Sequence, residues 1–121
     1  MNDLTPEFQI LKKGLEADYQ RLKNRIRVLR AQDPFSDPNR ANDNAASDTE
    51  ATEESDHDRA EALVAELEAQ LSQVIGALQR LETNSYGICV ICSRMIEMNR
   101  LKILPTAIMC STCEKTQQER Q

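Results

Sequence analysis

Cysteine spacing constrains this chain more than any other feature. Cys89-Val90-Ile91-Cys92 and Cys110-Ser111-Thr112-Cys113 form two C-x2-C pairs with 17 residues between them. Each pair places two thiolates on one tight turn, and two such turns facing one another make a tetrahedral site. Zinc takes four ligands of this kind at about 2.3 Å. Four sulfurs fill the coordination, and no position is left for water or substrate. The spacing therefore predicts one structural Zn2+ on Cys89, Cys92, Cys110 and Cys113. Binding would supply folding free energy that a short segment lacks, on the order of 10 kcal/mol in comparable peptides. Two other uses of C-x2-C fit less well. Disulfides need an oxidising compartment. Met1-Asn2-Asp3-Leu4 lacks the basic-then-apolar start of a secretory signal, so a cytoplasmic location is expected. A thioredoxin-like redox pair needs strands that the sequence does not show.

The rest of the chain excludes more than it specifies. Aromatic residues make up 3% of the 121 residues and Trp is absent, which leaves little material for a wide core. No apolar run approaches the roughly 18 residues of a membrane span. The net charge of −5 argues against a general nucleic-acid binder, because phosphate binding needs a basic surface. There is no Gly-rich phosphate loop, no evident nucleophile–base pair and a single His, so the chain is not expected to be an enzyme. Lone His57 reads as a surface histidine rather than a metal ligand.

Charge is blocked along the chain. Residues 7–31 are net +4, residues 32–58 net −8, residues 59–82 near −2 and residues 83–121 +2. This order describes a basic helix, an acidic connector, a second helix and a cysteine module. The domain expectation is a hairpin over 1–84, with an acidic connector or tip at about 32–58, followed by a module over 85–121.

Hydrophobic periodicity supports the two helices. Thr5-Pro6-Glu7 is a helix start, with a hydroxyl cap and Pro at the first helical position. Phe8, Leu11, Leu15, Tyr19, Leu22, Ile26 and Leu29 then recur in steps of three and four. Pro34 and Pro38 stop the run soon after Ala31. In the second helix, Ala60, Val64, Leu67, Leu71, Val74, Leu78 and Leu81 repeat the pattern, widened by Leu63 and Ile75. Asn84, Ser85 and Gly87 end it. Its start is at Ser47-Asp48-Thr49-Glu50 or at Ser55-Asp56-His57-Asp58; the first is favoured, because no Gly or Pro interrupts Thr49 to Arg59. Two heptad stripes can satisfy one another as an antiparallel hairpin, which favours a monomer. Gly76, inside the second helix, either lets the first helix approach closely or is neutral.

Within the module, Ile88, Val90, Ile91, Ile96, Leu101, Leu104 and Ile108 are expected to cover the metal turns. Arg94, Arg100 and Lys102 read as solvated surface rather than as a phosphate site. Glu114 to Gln121 is polar and suits a short terminal helix.

Tyr86-Gly87-Ile88-Cys89, Cys92, Ile96, Arg100-Leu101, Pro105-Thr106-Ala107 and Cys110-x-x-Cys113 together resemble the signature of the DksA/TraR C4-type zinc-finger proteins. The resemblance implies an antiparallel coiled coil rising from a zinc-bound base. It also implies a function. The coiled coil would enter the secondary channel of bacterial RNA polymerase, and tip carboxylates would alter open-complex stability, jointly with ppGpp in many members. Sequence-specific DNA binding is not part of that mode of action.

The chain departs from the family pattern in two places. Ser93 stands where the family usually has Gly after the second Cys, a position where a left-handed turn costs Ser more than Gly. At the tip, Asp37-Pro38-Asn39-Arg40-Ala41 lacks one residue and the second Asp of the usual D-x-x-D-x-A. The candidate tip acids are then Asp43, Asp48 and Glu50, acting by charge on a metal-bearing or basic partner surface. The divergent tip also keeps an alternative open: a zinc-stapled helical-hairpin adaptor that binds another protein.

Overall fold

The structure is a computed structural model. It describes residues 4–32 and 47–119, with residues 47–53 described by backbone alone. Four helices follow one another: α1 (Pro6–Gln32), α2 (Ser47–Glu82), α3 (Met98–Ile103) and α4 (Ser111–Glu119). Among the described residues the only β pairing is an isolated antiparallel bridge between Ile88 and Met95.

Local chemistry fixes the helix ends. The Thr5 hydroxyl accepts the Phe8 N–H at 3.2 Å, and the Thr5 carbonyl accepts the Gln9 N–H at 2.9 Å. The first bond satisfies an otherwise orphaned donor of the first turn, and the second opens the helical ladder. α2 begins at Ser47, the earlier of the two candidate starts. It ends in a left-handed residue, Asn84 (φ 61°), after which the Ser85 and Tyr86 N–H groups both donate to the Arg80 carbonyl, at 2.9 and 3.1 Å. This is the closure that Asn favours when Gly is absent.

α1 and α2 contribute to two compact units. In one, α1 from Gln20 pairs with α2 up to Ser72. Leu22, Ile26, Val64 and Leu67 are buried there, and Leu29, Ala60 and Leu63 are half-buried. Arg30 and Glu68 form an exposed ion pair between the two helices, of a kind that contributes little in water. His57 is half-buried rather than freely exposed: its Nε2 lies 3.1 Å from Glu61 one turn on.

In the other unit, α1 up to Tyr19 pairs with α2 from Gln73, and α3 and α4 join them. The pairing order of the two units is that of an antiparallel hairpin. Leu11, Leu15, Val74, Ala77 and Leu81 are buried in this second unit. All seven α1 stripe residues are buried or half-buried, so the step pattern places the seam correctly. Ala77 is fully buried although it lies outside the α2 stripe. The space beside Gly76 is used by Arg80 rather than by α1, since a methyl at position 76 would stand 3.3 Å from the Arg80 Nη1. The neighbouring Nη2 is buried with no hydrogen-bond partner.

Tyr86 joins the hairpin to the cysteine segment within this unit. Its ring meets Phe8 edge-to-face, with centroids 5.0 Å apart, and its hydroxyl donates to the Pro105 carbonyl at 2.8 Å. Burial pushes the phenol pKa up to about 12, against an opposing pull from Arg80. The phenol therefore stays protonated, and its donor intact, across the ordinary pH range.

Candidate metal centre

Two backbone loops carry the cysteines. In the first, the Cys89 N–H donates to the Arg94 carbonyl at 2.8 Å and the Ser93 N–H returns to the Cys89 carbonyl at 3.0 Å. The loop so closed needs a left-handed residue, and Ser93 supplies it with φ 65°. In the second, Cys110 and Cys113 flank the start of α4, where the Glu114 N–H donates to the Cys110 carbonyl at 3.0 Å. The loops are joined by the Val90 N–H, which donates to the Ile108 carbonyl at 2.9 Å.

All four sulfurs lie within 4.8 Å of one another, the one such cluster among the described residues. None is in a disulfide. The Cys92 and Cys110 Sγ atoms are 3.8 Å apart. That separation is far beyond a disulfide bond of about 2.05 Å. It matches the edge of a tetrahedron whose centre lies about 2.3 Å from each corner, roughly 3.8 Å. The donor set and its spacing therefore fit zinc, and the sequence expectation of one structural ion stands.

The cluster perturbs its own thiols in opposite directions. Burial raises the Cys89 thiol, but the backbone N–H groups of Cys92, Cys110 and Ile91 outweigh it and bring the pKa down to about 6. The Ile91 N–H lies 3.4 Å from the Cys89 sulfur. Cys113 is pushed up to about 12, first by its hydrogen bond with Cys110 and then by burial. When bound, zinc supplies a cross-link between the two loops.

The cover over the loops is thinner than the sequence suggests. Ile96 and Leu101 are buried, together with Tyr86 and Ala107. Ile88, Val90, Ile91, Leu104 and Ile108 are all exposed, between 38% and 58%. Two short loops around a small ion enclose too little volume to bury seven aliphatic side chains, so cohesion here rests on the metal.

Arg100 is also not the solvated residue that the sequence suggests. Its side chain is 21% exposed; its Nε donates to the Met109 carbonyl at 2.9 Å, and it forms an ion pair with Glu114. Glu97 caps α4 from outside, accepting from the Ser111 hydroxyl at 3.3 Å and backbone N–H at 3.4 Å. Spacing within the sequence carried no sign of these contacts, which cross 9 to 14 residues. Arg94 and Lys102 are exposed, as expected.

Of the three candidate tip acids, Asp43 lies outside the described residues. Asp48 and Glu50 lie at the start of α2, in the segment described by backbone alone.

The strain at Ser93 yields a prediction. A glycine meets φ 65° without a Cβ penalty. Ser93→Gly is expected to stabilise the zinc-loaded protein by about 1 kcal/mol, raising Tm by about 4 °C. An unchanged or lowered Tm in calorimetry would mean that the serine hydroxyl offsets the strain.

Fold and site together define a class: helical-hairpin proteins closed by a four-cysteine zinc finger. Residues 84–119 match the family model described as prokaryotic dksA/traR C4-type zinc finger. Residues 84–119 are therefore a C4-type zinc finger of the dksA/traR kind. Among solved structures it is similar to the transcription factor DksA2 from Pseudomonas aeruginosa, with a TM-score of 0.82 and 23% identity, covering 94% of this chain and 84% of that one. At that identity the likeness establishes the hairpin-plus-module fold. No curated protein matches the chain by sequence. Among the described residues no helix is long and apolar enough to cross a membrane.

Proposed function

We propose that the chain regulates transcription by binding bacterial RNA polymerase, with its helical hairpin entering the secondary channel and zinc serving only to hold the base. The observation that carries this reading is the likeness in fold to a transcription factor over 94% of the chain, joined to a zinc finger of the same family. Asp43, Asp48 and Glu50 act as the tip carboxylates, and ppGpp acts jointly with the polymerase rather than on this chain alone. The protein works as a cytoplasmic monomer and does not read DNA sequence. It performs no catalysis, since four thiolates leave the metal no open position.

The test is binding of zinc-loaded protein to purified core polymerase, with a known secondary-channel factor as competitor. Saturable binding that the competitor displaces is the expected result. No binding at tens of micromolar would favour the adaptor reading, in which the hairpin docks on a different protein. The incomplete acidic motif at 37–41 is what keeps that second reading in view. If the channel reading holds, replacing Asp43, Asp48 and Glu50 with Ala abolishes the effect on in vitro transcription and leaves the zinc content and helical signal unchanged. A retained effect would reject these three acids as the tip.

A further inference from the structure

Arg100 touches both ends of the second cysteine loop. Its Nε donates to the carbonyl of Met109, the residue just before Cys110. Its Nη2 pairs with Glu114, the residue just after Cys113. One planar, always-charged fork therefore spans the segment that carries two of the four sulfurs. The platform beneath it is firm. Arg100 lies in α3 beside Leu101, which is fully buried, and the α3 backbone is held by the bonds Leu101 N–H to the Glu97 carbonyl (3.1 Å) and Leu104 N–H to the Arg100 carbonyl (2.7 Å). From the same platform Glu97 accepts from the N–H and hydroxyl of Ser111. No comparable side-chain clamp spans the first loop among the described contacts. That loop closes through its own backbone instead.

We propose that Arg100 is a positioning residue for the metal centre, presetting the Cys110–Cys113 half of the zinc site by clamping Met109 and Glu114 to α3. The physical reasoning has two parts. Before metal arrives, the loop's freedom is restricted, so less ordering is required on binding. Once zinc is bound, the same two contacts hold both ends of the loop and resist the opening through which the ion leaves. Groups in such supporting positions typically change metal affinity by about 10- to 100-fold when removed.

The experiment uses the full-length, zinc-loaded chain. Zinc release to a chromophoric chelator is measured for wild type, Arg100→Met, Arg100→Lys and Glu114→Gln, and cysteine alkylation is followed residue by residue by mass spectrometry. Arg100→Met is expected to release zinc at least about 10-fold faster. In that variant Cys110 and Cys113 are alkylated ahead of Cys89 and Cys92. Arg100→Lys, which keeps the charge and one donor but not the fork, recovers part of the loss. Glu114→Gln, a change at a half-buried position that keeps an acceptor for Arg100, speeds release less than Arg100→Met does. A purely structural role would weaken all four cysteines together and lower Tm in proportion. That pattern, or a wild-type release rate in Arg100→Met, overturns the proposal. Should Arg100→Met fail to fold, the lysine and Glu114→Gln variants decide it through the same ordering of alkylation.

Discussion

Stripping the metal is expected to unfold residues 84–119 as a unit. The purified protein should hold one zinc per chain, and Cys110→Ser should hold far less. The argument rests on what the segment buries. Tyr86, Ile96, Leu101 and Ala107 are its inner apolar side chains besides the cysteines, while six of its aliphatics, Ile88, Val90, Ile91, Ile103, Leu104 and Ile108, face outward. Two side chains of Leu size contribute about 1.5–3 kcal/mol each by burial. Ordering some three dozen residues costs far more than that. Zinc bound by comparable peptides supplies about 10–16 kcal/mol near neutral pH, which is the size of a whole domain's net stability. Far-UV circular dichroism would be a poor probe, because α3 and α4 hold 6 and 9 residues against 27 and 36 in α1 and α2. Amide dispersion in NMR spectra reads the segment directly. A chelated sample that keeps native shifts over 84–119 would show that the fold does not depend on the ion. Acid should release the metal as well, since protons compete for thiolate sulfur.

A single methyl at position 87 is expected to destabilise the protein by about 2–5 kcal/mol. Gly87 has φ +78°, where an Ala costs about 1–2 kcal/mol. Its Cβ would also lie 3.0 Å from the Phe8 ring and 3.5 Å from the Leu101 side chain. Overpacking of that kind adds about 1–3 kcal/mol. Phe8 has little room to yield, because moving it disrupts its edge-to-face contact with Tyr86. Gly14 is the internal contrast: a Cβ there meets nothing within 4 Å. It sits on the exposed side of α1, so Gly14→Ala is expected to stabilise by roughly 0.5–1 kcal/mol through helix propensity. Urea unfolding of the two variants should move the midpoint in opposite directions. Equal shifts for both would mean that position 87 is not tightly packed.

The parts legible in the sequence are those set by near neighbours. The seven-residue steps from Phe8 to Leu29 and from Ala60 to Leu81 mark the seam, because helix periodicity alone decides which side chains share a face. Thr5, Asn84 and the Cys pairs mark ends and ligands by chemistry at short range. The strain at Ser93 was visible only through the family resemblance, which usually carries Gly at that position. Contacts that depend on the finished fold were not legible. Nothing near Arg100 in the chain signals that Met109 and Glu114 come to meet it. Ala77 is buried because its small size lets the helices close over it, which a stripe of large residues does not reveal. The exposure of Val90 and Ile91 follows from how little two metal loops enclose, a property of the assembled module and not of residue type.

The seam has a further consequence for the unit formed by Gln20–Ser72. Its inward side chains return every seven residues on both helices, with Leu22 and Leu29 on one and Val64 and Leu71 on the other. The helical pair is therefore a graduated rod. Removing seven residues from each helix at facing positions would bring like faces back together and shorten the rod by about 10 Å, at 1.5 Å per residue. Removing three or four from one helix alone would slide the graduations out of step and set charged side chains against the seam. Length in this protein is adjustable in whole repeats.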